Sequence, residues 1–171
     1  MNIFVLHESP RVAATMMCDK HVVKMILETA QMLCTVAAQH GHDTPYRPTH
    51  AKHPCTIWAR TSKENYEWLI THGLALCNEY TFRYGKRHAS QDVIIWCSEN
   101  MWRLDLPSIG LTEFPVAISA DQKCRSIPNF DRLTVKQKYR AYYLYDKSRF
   151  AKWTGRSVPE WWARWVRLGG V

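Results

Sequence analysis

Apolar residues recur at helical spacing along most of this chain, most densely from Asp19 to Gln31. Val22, Val23, Met25, Ile26, Leu27 and Ala30, followed by Met32, Leu33, Val36 and Ala37, cover most of a helical cylinder. A helix apolar nearly all round is one enclosed by its own domain. Four residues interrupt that surface. His21, Lys24, Glu28 and Gln31 stand three, four and three residues apart and so share one face. Burying an acid, a base and an amide is costly unless they meet partners or line a cleft. The stripe is therefore a polar seam between helices, a face turned to water, or the wall of an active site. Four such residues in register on so apolar a helix favour the cleft.

The same periodicity predicts the remaining elements. Asn2 to Leu6 is a short apolar run, either a single strand or an extended lead-in. Ser9-Pro10 starts a short helix to about Cys18. The central helix, with Asp19 as its cap, runs to about His40 and stops at Gly41. His42 to Lys52 reads as loop, and His53-Pro54 opens a helical turn through Trp58. A capping box at Thr61-Ser62-Lys63-Glu64 begins a long helix to Tyr84-Gly85, with Tyr66, Leu69, Ile70, Gly73, Leu76, Cys77 and Tyr80 as its core face. On another face Asn65, His72 and Glu79 fall seven apart, joined by Arg83, which reads at least as well as surface ion pairing as function. Ser90 caps a helix from Gln91 to about Arg103. Leu104 to Asn129 is irregular, with a brief strand conceivable at Phe114–Ile118, and so long a loop is often functional. Thr134 with Gln137, and Ser157 with Glu160, form two further capping boxes. The first starts a helix through about Phe150, the second a terminal helix ending at Gly169-Gly170. The expected fold is all-α: a compact single-domain helical bundle over residues 1–171 with one long irregular loop.

Composition narrows the partners. The 171 residues carry a formal charge of +8 and eight Trp, which fits a compact globule meeting a polyanion. From Arg132 onward ten Lys/Arg face two acids, interleaved with aromatics. Cations neutralise phosphates, and exposed rings stack on bases. Arg140, Tyr142, Tyr143, Lys147 and Arg149 are thus candidate DNA contacts, although helix-spaced aromatics usually fill a core. Six dispersed cysteines without a Cys-x-x-Cys pair or an export signal read as reduced thiols in a cytoplasmic protein. No run approaches membrane-spanning length.

His50-x-x-His53 followed by Cys55 suggests zinc, with His7, His21, His40 or His42 as further ligands. Zinc sites need three or four converging ligands, and this Pro-rich loop has no established ligand pattern, so no metal is expected. The chain lacks a Gly-rich phosphate loop and a Gly-x-Ser-x-Gly elbow, and no cofactor is expected.

Asp19-Lys20-His21, with Glu28 seven residues after the His, resembles the start of pyrimidine-dimer DNA glycosylase/AP lyases of the phage endonuclease V type. His53-Pro54 is similar to a His-Pro in bacterial relatives, and Tyr139-Arg140-Ala141-Tyr142-Tyr143 to the family's aromatic-basic close. The Cys-Asp-Lys-His start also resembles small tailed-phage proteins. These patches are short and cover a minority of the chain. The resemblance implies a helical domain that exposes a nucleotide, an amine that attacks C1′ to give a Schiff base, and an assisting Glu. Glu28 would be that carboxylate, and His21 would orient substrate or the chain start. Lys20, Gln31 and His53 would border the bound DNA. The family uses the α-amine of a small second residue exposed by methionine removal. Here the second residue is Asn2, ill-suited to that processing. The amine then falls to Met1, Lys20 or Lys24, and the carboxylate at ion-pair spacing counts against Lys24.

Three functions follow from these residues. One is an N-glycosylase, with or without lyase activity, acting on a modified or damaged pyrimidine. The second is a base-modifying transferase using the same cleft. The third is a non-catalytic DNA-binding protein with a structural stripe. Oligomeric state is left open by the sequence.

Overall fold

The computed structural model describes residues 1–170, which form seven α-helices and, among the described residues, no strand. The helices are α1 (Pro10–Met16), α2 (Asp19–Gln39), α3 (Pro54–Thr61), α4 (Lys63–Tyr84), α5 (Gln91–Asn100), α6 (Val135–Tyr142) and α7 (Glu160–Arg167). α2 is the central rod, packed on α3, α4 and α5, while α1 lies against α4. Thirteen of its 21 residues are buried, as its near-continuous apolar surface requires. At the α2–α4 crossing a Cβ on Gly73 would sit 2.7 Å from Thr29 Cγ2 and 3.0 Å from Ile94 Cδ1, so only glycine allows the helices to meet this closely.

Local chemistry sets the helix ends. Ser9 Oγ accepts from Val12 N ahead of Pro10, and Ser62 Oγ accepts from Asn65 N. Gly85 closes α4 in the left-handed region (φ 64°), and the Thr134–Gln137 capping box forms with both reciprocal bonds. Other expected ends differ. Cys18, not Asp19, is the N-cap of α2, and the Asp19 carboxylate is taken by Arg83 and Thr154. Glu64 closes no box at α4 and instead takes the Ser108 hydroxyl and Gly110 N–H of the long loop. Ser90 makes no side-chain cap, because its hydroxyl pairs with Tyr46. Pro159 occupies the N-cap of α7, displacing the Ser157–Glu160 box. The helix begun at Val135 does not run evenly to Phe150, because Tyr143–Lys147 winds as a π-turn.

The lead-in Asn2–Leu6 forms no strand and turns at Phe4 (φ 50°), yet Ile3, Phe4, Val5 and Leu6 are all buried. Phe114–Ile118 is likewise irregular. The buried apolar residues make one continuous cluster from this lead-in to Trp162. All six cysteines are buried free thiols. No described helix is long and apolar enough to cross a membrane.

Candidate active site

The polar stripe of α2 forms the floor of a cleft of about 550 Å³. His21, Lys24 and Glu28 face it. Met1, Asn2 and Phe4 make one wall, His53-Pro54 and Val116–Ser119 close it, and Tyr142 enters from the end of α6 and Lys147 from the π-turn. Successive residues of a π-turn advance by less than in an α-helix, so positions five apart share a side. Lys147 accordingly returns over the Tyr142 ring, its Nζ 4.3 Å from the centroid.

Glu28 is buried, and its neighbours are nitrogens. Oε2 accepts the Asn2 backbone N–H at 2.9 Å and lies 3.7 Å from the Met1 amine, while Oε1 lies 3.4 Å from Lys24 Nζ. A buried carboxylate is tolerable only because these donors surround it. The Asn2 side chain completes the wall. Its Oδ1 accepts from Ile3 N and Phe4 N, and its Nδ2 donates to the Ala117 carbonyl at 2.7 Å. Phe4 takes φ 50°, a left-handed conformation that costs a non-glycine residue on the order of 1 kcal/mol. That conformation lays its ring on His21, centroids 4.1 Å apart, and beside the parallel ring of Tyr142 at 5.9 Å.

His21 Nδ1 pairs with the Tyr143 hydroxyl at 2.5 Å. Burial, followed by the charges of Lys147 and Lys24, lowers the His21 pKa to about 3, so its imidazole is neutral near pH 7. Burial holds the Tyr143 phenol well above its ordinary range, so it stays protonated. His53 is also shifted down, by burial first and then by the cationic chain head and His50.

The remaining expected site residues divide. Lys20 lies outside the cleft over the Phe150 ring (4.9 Å), and Arg149 approaches the same ring (5.8 Å). Gln31 borders a separate depression of about 560 Å³ against Pro45–Thr49. Tyr143 is fully buried and reaches the cleft only through His21. Arg140 is engaged within the protein, donating Nε and Nη2 to the Leu6 carbonyl. His53 lines the cleft and caps α3 through Nδ1. No three His, Cys, Asp or Glu side chains converge as a metal site among the described residues. The second stripe, read as readily as surface pairing, is buried throughout. Asn65, His72, Glu79 and Arg83 all lie inside, and Glu79 binds both Arg83 and Arg156.

Sequence reasoning missed Asn2, Phe4, Pro54 and Val116–Ser119 as cleft walls. The irregular loop and the unpaired apolar lead-in were the available signals, but neither carries a period that predicts which side faces the site.

A family model for pyrimidine dimer DNA glycosylase matches residues 1–92. That is more than half of the 171 residues, and the chain belongs to this family, whose function is of the pyrimidine-dimer glycosylase type with DNA as substrate. No curated protein and no solved structure gives a significant match. The matched segment contains Asn2, His21, Glu28 and His53. The segment beyond it completes the cleft with Val116–Ser119, Tyr142 and Lys147.

Proposed function

We propose that this cleft breaks the N-glycosidic bond of a damaged pyrimidine nucleotide in DNA, using an amine at the head of the chain as nucleophile and Glu28 as its carboxylate partner. The reading is carried by one observation: a buried carboxylate in the cleft accepts the Asn2 N–H and lies 3.7 Å from the Met1 amine. The amine's lone pair attacks C1′, and the C1′–N bond breaks with its electron pair leaving on the base. Glu28 takes the proton released by the attacking nitrogen. Opening of the sugar ring then gives a Schiff base, and loss of a C2′ proton expels the 3′ phosphate in a lyase step.

Among the candidate amines, position favours the chain head. Met1 lines the cleft with its amine 3.7 Å from Glu28 Oε2. Lys24 is solvent-exposed, and Lys20 stands outside the cleft. Neutral His21, held by Tyr143 and stacked on Phe4, forms a flat aromatic floor against which an extruded nucleoside can rest. Lys24 and Lys147 at the cleft, with Lys20 and Arg149 beside Phe150, supply cations for flanking phosphates.

The test is borohydride trapping on duplexes carrying a cyclobutane pyrimidine dimer or an abasic site, followed by peptide mapping of the adduct. The expected product is a covalent complex with DNA joined to the α-amine of the N-terminal peptide. DNA binding without any trapped complex would defeat the amine mechanism. An adduct on Lys24 would move the nucleophile.

A further inference from the structure

We propose that Asn2 is a positioning residue whose side-chain amide sets the head of the chain against Glu28. This rests on the reading of Glu28 and the head amine given above.

Asn2–Leu6 is buried but belongs to no helix or sheet, so its N–H groups need other acceptors. Three of them are satisfied around a single residue. Asn2 N donates to Glu28 Oε2, while Ile3 N and Phe4 N both donate to Asn2 Oδ1, at 2.8 and 3.1 Å. The bond to the residue two ahead makes an Asx-type turn, which bends the chain immediately before the positive φ of Phe4. The other half of the amide is also used, since Nδ2 donates to the Ala117 carbonyl across 115 residues of sequence. Each of these partners, Glu28, Phe4 and Ala117, lines the cleft. One amide therefore joins the nucleophile's segment, the ring under His21 and the far loop wall. A carboxylate at this position would lose the donor, and a longer or apolar side chain would misplace or lose all three bonds. Residue 2 acts through its side chain and its N–H, and the attacking nitrogen belongs to the residue before it.

The experiment compares the full chain with Asn2→Leu, Asn2→Asp and Asn2→Gln. All keep a bulky second residue, and intact mass establishes the head of each protein. One readout is independent of activity: amide hydrogen exchange at Ile3 and Phe4. Exchange should quicken at least tenfold in Asn2→Leu and remain slow in Asn2→Asp, whose Oδ1 can still accept. The second readout is the single-turnover rate on an abasic-site duplex. We expect a loss of tenfold or more in Asn2→Leu and in Asn2→Gln, with Kd for the duplex within threefold of the parent. If Asn2→Leu does not fold, Asn2→Gln carries both readouts, since it has the same groups displaced by one methylene. Exchange at Ile3 and Phe4 as slow in Asn2→Leu and Asn2→Gln as in the parent would overturn the proposal. So would parental rates, or an adduct mapped to the α-amine of Asn2. A parent that traps no DNA at all defeats the amine mechanism instead, and the exchange readout still decides whether the clamp exists.

Discussion

Tyr143 and His21 meet across 122 residues of chain, the phenol oxygen 2.5 Å from Nδ1 of the imidazole. The contact joins α2 to the π-turn and holds the neutral ring flat against Phe4. Removing the hydroxyl in Tyr143→Phe strands a buried ring nitrogen. That should cost about 1–3 kcal/mol of stability, measured by urea denaturation. A cost near zero would mean that the pair contributes nothing to the floor of the cleft.

His21 and His72 together predict how stability depends on pH. Burial, then Lys147 and Lys24, bring His21 down to about 3, and burial brings His72 to about 4 despite its bond to the Pro10 carbonyl. In the unfolded chain each should titrate near 6.5. Between those values the unfolded state binds more protons than the folded one, so stability rises with pH. The contribution is full above about pH 6.5 and is lost as pH falls, down to about 4 for His72 and about 3 for His21. Each group adds roughly 1.4 kcal/mol per pH unit inside its window. Urea titrations at pH 7, 6 and 5 should show the decline, and His72→Phe should make it shallower. Imidazole NMR should find His21 neutral at pH 5, and a charged His21 at that pH would overturn the assignment.

The buried stripe of α4 should act as a structural unit. Glu79 accepts from Arg83 Nε and from Nε and Nη2 of Arg156, each at 2.8 Å, and Arg83 also binds Asp19 and the Thr15 carbonyl. Arg83 has no exposed side-chain surface, whereas Arg156 is about one-third exposed. Glu79→Ala leaves a buried guanidinium with less compensation and should cost about 3–5 kcal/mol. Arg156→Ala should cost clearly less, because water reaches its guanidinium. Chemical denaturation midpoints measure both, and the reverse order would refute this division.

The two stripes also mark how far the sequence was legible. Periodicity identified α2 as the buried centre and aligned His21, Lys24 and Glu28, since 3.6-residue repeats report facing directly. It could not separate Glu79 on Arg83 and Arg156 from an exposed ion pair, because burial depends on what packs above the helix. Arg156 comes from 77 residues away. Asn2 and Phe4 were hidden for a related reason. An irregular segment outside any helix or sheet has no period to read, and its conformation is imposed by the Asn2 amide, Glu28 and Ala117. Tyr142 and Lys147 were named from charge and aromaticity, but the π-turn that puts them on one side has no sequence period.

Cations at and beside the cleft should set the salt dependence of DNA binding. Lys147 lines the cleft and Arg149 flanks Phe150, whereas Arg140 is held by the Leu6 carbonyl. Lys147→Gln and Arg149→Gln should each flatten the slope of log affinity against log salt by about 0.9 on duplex DNA if each neutralises one phosphate. Arg140→Gln should lower stability and leave the slope nearly unchanged. Fluorescence anisotropy at several salt concentrations, run beside thermal melts, distinguishes these outcomes. An unchanged slope in the Lys147 and Arg149 variants would place the DNA on another surface.

Glu28→Gln tests the carboxylate itself. Its amide oxygen can still accept the Asn2 N–H, so the local fold should persist, with the melting temperature near that of the parent. The variant loses the negative charge beside the Met1 amine and Lys24 Nζ, and with it the base that takes the nucleophile's proton. Duplex affinity should remain within a few fold, because the phosphate-facing cations are untouched. Turnover on dimer-containing DNA should fall by about 10²–10⁴, the range of a general acid–base contribution. Trapping on an abasic site should slow with it, because the same proton transfer precedes Schiff-base formation. A Glu28→Gln protein that binds and cleaves like the parent would show that Glu28 only anchors the chain head, and the proton would then need another acceptor.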